Sequence, residues 1–340
     1  MTTPKSKAIL AQLAPHKKNV AFGFLFLILT NACDKAIPWL LRHAIDALRG
    51  AHFDEVKRYA LWVVSLAVAM VFVRTASRVL VFNASRDIEH DLRMDVLHSL
   101  HRLGPSFLSR MATGEIMSRA INDLTQVRLL LGFGLLNIVN SAIAYVAGIA
   151  LMCSISPKLT LYALIPYPVF IWVARAFSRA MFQRSAEAQK SLGALTERAQ
   201  ESFAGMRLVR ALGLDAVIRA RFDEANTNAV KRNMALVTIR GLMWPVLMLL
   251  SSSGTLIVLW QGGQMVLHNE ISVGAFAAFN FYLAQLLWPT LALGYILSIV
   301  QRGRASYARV RELLDAEPDI VEADGATDAK QTGALNVDNL

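Results

Sequence analysis

The chain is poor in cysteine and poor in charge. Its two cysteines, Cys33 and Cys153, stand singly inside apolar runs, which argues against a disulfide framework or a cysteine-based zinc site. Only 18% of the residues are charged against 55% hydrophobic, a balance far from that of a soluble domain. No Gly-x-x-x-x-Gly-Lys-Ser/Thr run occurs, so these residues offer no such loop to cradle a nucleotide's phosphates. His98 and His101 are spaced i, i+3 without a carboxylate or cysteine set to complete a metal site, and a solvent-facing pair is expected.

What the chain does have is long apolar runs. Six stand out: Val20–Leu41, Tyr59–Phe82, Leu129–Ile155, Leu159–Ala174, Gly241–Leu267 and Ile271–Gln301. The third, fifth and sixth contain no Asp, Glu, Lys or Arg. A hydrocarbon core about 30 Å thick needs roughly 20 such residues in a helix, so each run predicts a membrane span. The expected fold is an all-α membrane protein of six transmembrane helices. The run after Lys17 and Lys18 is too long for the core of a cleavable signal.

The net charge of +10 sorts by side rather than forming one basic patch for nucleic acid. Lysines and arginines crowd the segment before Val20, the connections after the second and fourth runs, and the segment after Gln301. The opposite loops carry only Arg49, Lys57, Arg58 and Lys158. The positive-inside rule then places the N-terminus and both long connections in the cytoplasm. Residues 1–18, with Lys5, Lys7, Ile9, Leu10 and Leu13, suit a short amphipathic segment on the inner leaflet. Trp39 and Trp62 flank the first outer loop, as an aromatic belt would.

The two long connections continue the helices instead of ending them. Beyond the second run, Ile88, Leu92, Val96, Leu97, Leu100 and Leu103 keep a 3.6-residue period while Asp87, Glu89, Asp91, Arg93 and Asp95 take the other faces. Gly104-Pro105 ends that arm, a short segment over Gly114–Asp123 forms the tip, and a second helix returns. The other connection repeats the plan: 177–203 descends, Gly205–Ala211 turns, and 215–240 returns. Pro166, Pro168, Pro245 and Pro289 are expected to kink their spans. Residues 19–316 thus form the six-helix domain, 317–333 reads as a polar linker, and 334–340 alternates as if opening a strand of a further domain.

Three segments carry a family resemblance. Gly114-Glu115-Ile116-Met117-Ser118-Arg119-Ala120-Ile121-Asn122-Asp123 resembles the first intracellular loop of ATP-binding cassette (ABC) exporters of the type IV fold. Gln200-Glu201-Ser202-Phe203-Ala204-Gly205-Met206-Arg207-Leu208-Val209-Arg210-Ala211 resembles their second. Arg304, Arg309-Val310 and Glu312-Leu313-Leu314-Asp315 resemble the end of their sixth helix. The resemblance implies that the tips are coupling helices seated on nucleotide-binding domains, with Gly114, Glu115, Ser118, Arg119, Asn122, Asp123, Glu201, Gly205, Arg207 and Arg210 as the contacts. Taken alone, the charged ones would read as solvated helix faces. It also implies a domain-swapped dimer with a second half-transporter, spans four and five crossing to the partner, and alternating access in a lipid membrane. ATP and Mg would be bound by a nucleotide-binding domain, because neither a phosphate loop nor a Leu-Ser-Gly-Gly-Gln signature occurs here; 334–340 would be its truncated start, and the fragment would not hydrolyse ATP alone.

Within the spans, polar residues are the candidates for a substrate cavity. Asp34 and Lys35 lie inside the first run, and either line a cavity or pair at an interface. Arg74 and Arg78, one turn apart, either contact an anion or reach for inner headgroups. Asn280 and Gln285 either bind substrate or bridge helices. Phe276 and Trp288 of the sixth run, with Trp244 and Met248 of the fifth, either form an adaptable apolar wall or face lipid and neighbouring helices. The function expected is export of hydrophobic or amphipathic drugs, lipids or peptides across the inner membrane. Uptake of iron–siderophore complexes on the same scaffold, and a polytopic membrane enzyme or secondary carrier, are the alternatives; a carrier would show more intramembrane acids than Asp34.

Overall fold

The computed structural model describes residues 9–318. The expected linker and strand over 317–333 and 334–340 therefore lie outside the described residues, apart from positions 317 and 318, as do Lys5 and Lys7 of the N-terminal segment. Among the described residues, a 3-10 turn at Ile9–Leu13 is followed by eight helices: α1 Lys17–Arg49, α2 Phe53–Arg102, α3 Pro105–Arg110, α4 Thr113–Ile155, α5 Pro157–Ala204, α6 Met206–Ala211, α7 Asp215–Leu267 and α8 Val273–Leu314. Six of them are long and apolar enough to cross a membrane. The protein is a multi-pass integral membrane protein.

Local chemistry sets the boundaries. Ser156 caps the start of α5 by accepting the Leu159 amide, with Pro157 at the first helical position. Ser272 does the same for α8 through the Ala275 amide, and Asp46 of α1 accepts Gly274 N and the Ser272 hydroxyl at 2.9 and 2.7 Å. Gly205 separates α5 from α6, and Gly213 takes a left-handed φ of 65° before α7, where a side chain would be strained. The helix of α5 is interrupted at Ile165, just ahead of Pro166, and α8 at Leu286, ahead of Pro289, whereas α7 runs unbroken through Pro245.

The helices divide into two compact units. One comprises 19–81 and 134–299. Its core gathers Met152, Leu159, Ala163, Val258, Ala278, Phe279, Tyr282, Leu283 and Leu286. Gly23 of α1 lies so near α2 that a Cβ there would sit 2.5 Å from Val81 Cγ2, and the Ser77 hydroxyl donates to Gly23 O at 2.8 Å. Gly23→Ala should lower stability by about 1–2 kcal/mol, the usual cost of overpacking, read as a lower melting temperature in detergent. Arg232 of α7 and Arg184 of α5 both meet Glu187, at 3.2 and 3.0 Å, tying the two arms of the second hairpin at exposed positions of small energetic weight.

The other unit comprises 9–18, 82–133 and 300–318 among the described residues. Ile88, Leu92 and Val96 are buried there against Leu124, Val127, Leu131, Tyr307, Val310 and Leu313. Ile9 and Leu13 pack on this core, and Gln12 donates to the Tyr307 hydroxyl.

One expectation needs correcting. The short segment between the two arms of the first hairpin is α3, Pro105–Arg110, not Gly114–Asp123. The latter already belongs to the returning helix α4, which opens at Thr113 and carries π-helical turns at Arg119–Asp123 and Leu130–Gly134. Within it, Arg119 and Asp123 face inward and pair with Glu312 and Arg309 of α8, contacts that hold this segment against the returning helix's neighbour.

Candidate functional site

Four helices of the first unit converge on a cavity of about 490 Å³. Each contributes residues at helical spacing, so each turns one polar stripe toward the same space. Helix α1 gives Leu27, Thr30, Asn31, Asp34 and Lys35; α2 gives Arg74, Ser77 and Arg78; α4 gives Leu136, Asn137, Asn140, Ser141 and Ala144; α8 gives Gln285, Trp288, Pro289 and Ala292.

A polar network stitches α1 to α8. Pro38 lies inside α1 and has no N–H, so the Asp34 carbonyl four residues earlier loses its helical partner. Gln285 Nε2 supplies the missing donor at 3.0 Å. Gln285 Oε1 accepts from Lys35 Nζ at 2.5 Å, and the Tyr282 hydroxyl donates to Lys35 O at 3.0 Å. Lys35 is 6% exposed, and its ammonium lies 3.6 Å from the Asp34 carboxylate, which Arg74 approaches at 3.9 Å from the other side. Asn31 Nδ2 donates to Asn140 Oδ1 at 2.9 Å, joining α1 to α4. Buried polar groups in hydrocarbon are costly unless paired, and here they pair with one another around a shared space.

Of the residues singled out in the spans, Asp34, Lys35, Arg74, Arg78, Gln285 and Trp288 are brought together at this cavity. Phe276 packs beside Gly262 and the apolar core. Asn280 donates to Phe276 O within its own helix at 3.0 Å. Trp244 and Met248 are exposed on α7 and lie outside the cavity lining. Sequence reasoning passed over Asn31, Asn137 and Asn140, whose spacing on apolar spans was the available signal.

The tip residues also separate into two groups. Arg119 of α4 donates to Glu312 at 2.6 Å and Glu115 at 2.7 Å, and to the Arg309 carbonyl at 3.1 Å. Its Nε is buried without a hydrogen-bond partner among the described residues. Asp123 accepts two bonds from Arg309, Nε at 2.8 Å and a terminal nitrogen at 2.5 Å, and one from the Ser306 hydroxyl at 2.8 Å, a forked geometry that favours the ionised carboxylate. Asn122 donates to Ser118 at 3.2 Å, and Gly114 has open space around it. Arg119 and Asp123 are therefore spent inside the chain, clamping α4 to α8.

Asp123 lies outside the apolar run Leu129–Ile155. Burial opposes its ionisation, but the hydrogen bonds from Arg309 and Ser306 and the nearby guanidinium charges outweigh that and hold its carboxyl below the usual range. A depressed folded-state value means the stabilisation is present above the ordinary carboxylate range and is lost as pH falls through the lowered value. The melting-temperature gap between the wild type and Asp123→Asn should accordingly shrink as pH is lowered from neutrality toward acid.

At the second hairpin the tip is open. Glu201 pairs with Arg198 at 2.9 Å, but Arg207 and Arg210 make no ion pair among the described residues and are exposed. Beside them Phe203, Leu208 and Leu212 are 75%, 62% and 62% exposed. Apolar side chains framed by arginines compose a surface of the kind that meets another protein.

Comparison with known proteins agrees with this architecture. The family described as ABC transporter transmembrane region matches residues 20–290. A probable multidrug resistance ABC transporter ATP-binding/permease protein of Bacillus subtilis, YheI, is 32% identical over 92% of this chain and 54% of its own length. The multidrug resistance-like ATP-binding protein MdlA of Escherichia coli is 31% identical over 83% of this chain and 48% of its own. An ATP-dependent lipid A-core flippase of Syntrophus aciditrophicus is 24% identical over 95% of this chain and 54% of its own. The chain spans about half the length of the curated relatives it matches.

Proposed function

Since the chain belongs to the ABC transporter transmembrane-region family, we propose that it is the membrane-spanning half of an ATP-driven exporter. Its cargo is amphipathic compounds, moved outward across the inner membrane, with the N-terminus and both hairpins in the cytoplasm. The cavity carries the proposal: four spans turn hydrogen-bonding and charged groups, together with Leu27, Leu136 and Trp288, onto one space within apolar helices. A mixed lining of this kind suits a molecule with a polar head and an apolar body.

ATP and Mg would be held by a nucleotide-binding domain, for which this chain supplies docking surfaces. The tip at α6 offers Arg207, Arg210, Phe203 and Leu208, and the tip at α3 forms the second contact. The working unit would be two such halves with spans four and five exchanged between them, and helices as long as α2 and α7, at 50 and 53 residues, would move as stiff bodies when the tips are displaced. The charge asymmetry supports the cytoplasmic placement of the hairpins, and the multidrug and lipid-flippase names of the relatives support export over uptake.

The test is ATP hydrolysis by the full-length polypeptide in proteoliposomes, alongside ATP-dependent accumulation of a fluorescent amphiphile in inverted vesicles. Hydrolysis stimulated by the amphiphile, with accumulation inside, is expected; accumulation only in right-side-out vesicles would mean uptake. Phe203→Glu combined with Leu208→Glu should cut transport by about tenfold or more, the loss typical of burying a charge at an interface anchor. Unchanged transport in that variant would remove α6 from the coupling surface.

A further inference from the structure

The charge balance of the cavity points to a class of cargo. Its lining contains three cations, Lys35, Arg74 and Arg78, and one anion, Asp34, so three less one leaves two positive charges. Asp34 is already shared between Lys35 and Arg74. Arg78, one turn from Arg74 on α2, makes no hydrogen bond or ion pair among the described residues. A guanidinium facing a space walled by apolar spans gains most from an oxyanion, which it can meet through two parallel hydrogen bonds. A hydrophobic cation entering the same space would find one carboxylate and would have to displace two cations from it.

On the reading that this cavity is the cargo site, we infer that the cargo is an amphiphile with an acidic headgroup, such as a phosphate or sulfate ester, seated between Arg78 and Arg74. Asp34 positions Arg74 and Lys35 and tempers their charge, so that the headgroup can also leave. The apolar tail lies along Leu27, Leu136, Ala144 and Trp288. About 490 Å³ accommodates a headgroup and the first part of a chain.

Trp288 lines the cavity and provides the reporter. The full-length polypeptide, in nanodiscs of phosphatidylcholine, would be titrated with dodecyl phosphate, dodecyltrimethylammonium and inorganic phosphate while tryptophan fluorescence is followed. Dodecyl phosphate should bind at least about tenfold more tightly than the ammonium, the worth of one charge-assisted contact. The fluorescence change should vanish in Trp288→Phe. Arg78→Gln should weaken dodecyl phosphate about tenfold while Arg78→Lys keeps most of the affinity, and inorganic phosphate should compete poorly, because the tail contributes. Equal or tighter binding of the ammonium, or an unchanged affinity in a folded Arg78→Gln protein, would overturn the acidic-headgroup assignment alone. Displacement by inorganic phosphate at the same concentration would overturn the amphiphile and leave a soluble anion. A fluorescence change that survives in Trp288→Phe would place binding elsewhere, and the cavity would lose its role as the cargo site.

Discussion

Asp34→Ala is expected to destabilise the membrane unit by about 3–5 kcal/mol, the range for stripping the partner from a buried ion. The ammonium of Lys35, 6% exposed, would keep only the Gln285 side-chain oxygen and would lose the carboxylate 3.6 Å away. Arg74, which also faces Asp34, is half exposed and can turn to water in the cavity, so it adds little to the loss. Lys35→Met, which removes the charge and keeps the volume, should cost much less, since Asp34 retains Arg74. The double variant Asp34→Ala, Lys35→Met should recover most of the stability lost in Asp34→Ala, giving a coupling energy well above the few tenths expected of independent sites. Melting temperatures of the four proteins in one detergent would measure it. Additive losses would mean that the pair is not coupled.

Asp123→Ala should be the next most damaging change, at about 3 kcal/mol. It removes the acceptor of three hydrogen bonds, two from Arg309 and one from Ser306, each charge-assisted or buried. Arg309 is half exposed and can rehydrate, which keeps the figure at the low end for a broken ion pair. Arg119 would persist on Glu115 and Glu312, so α4 and α8 should loosen at 123 while holding at 119. Hydrogen exchange should show faster exchange over 120–127 and 303–310 in the variant, with little change at 115–118. Uniform protection in the variant would show that the clamp is redundant.

The physics that was legible in the sequence is the physics of solvent. A bilayer permits only runs such as Gly241–Leu267 without a charge, and the 3.6-residue period at Ile88, Leu92 and Val96 needs no knowledge of the partner helix to mark a buried face; those three are buried. What stayed hidden depended on partners far along the chain. Glu115 and Arg119 at i, i+4 look like a local surface pair, and nothing near them announces Glu312 or Arg309, which hold Arg119 against α8. Pro38 was a readable clue that the Asp34 carbonyl would need a donor, but not that Gln285 would be the one to supply it. Phe276, Asn280, Trp244 and Met248 lie away from the cavity lining while Trp288 is on it, because the rotation of each span about its own axis is set by packing and not by hydropathy.

The claim on which the functional account depends is that the polar cavity opens to one side of the membrane and then to the other as nucleotide is bound. Ala292 lines that cavity, and Ala292→Cys in a protein with Cys33 and Cys153 replaced by alanine puts a thiol there. Its rate of labelling by a membrane-impermeant maleimide would be measured in inverted vesicles, first without nucleotide and then with ATP and vanadate. Fast labelling from the cytoplasmic face without nucleotide, slowed at least about tenfold when ATP is trapped, is what alternating access requires. A labelling rate that is the same in both states would contradict it.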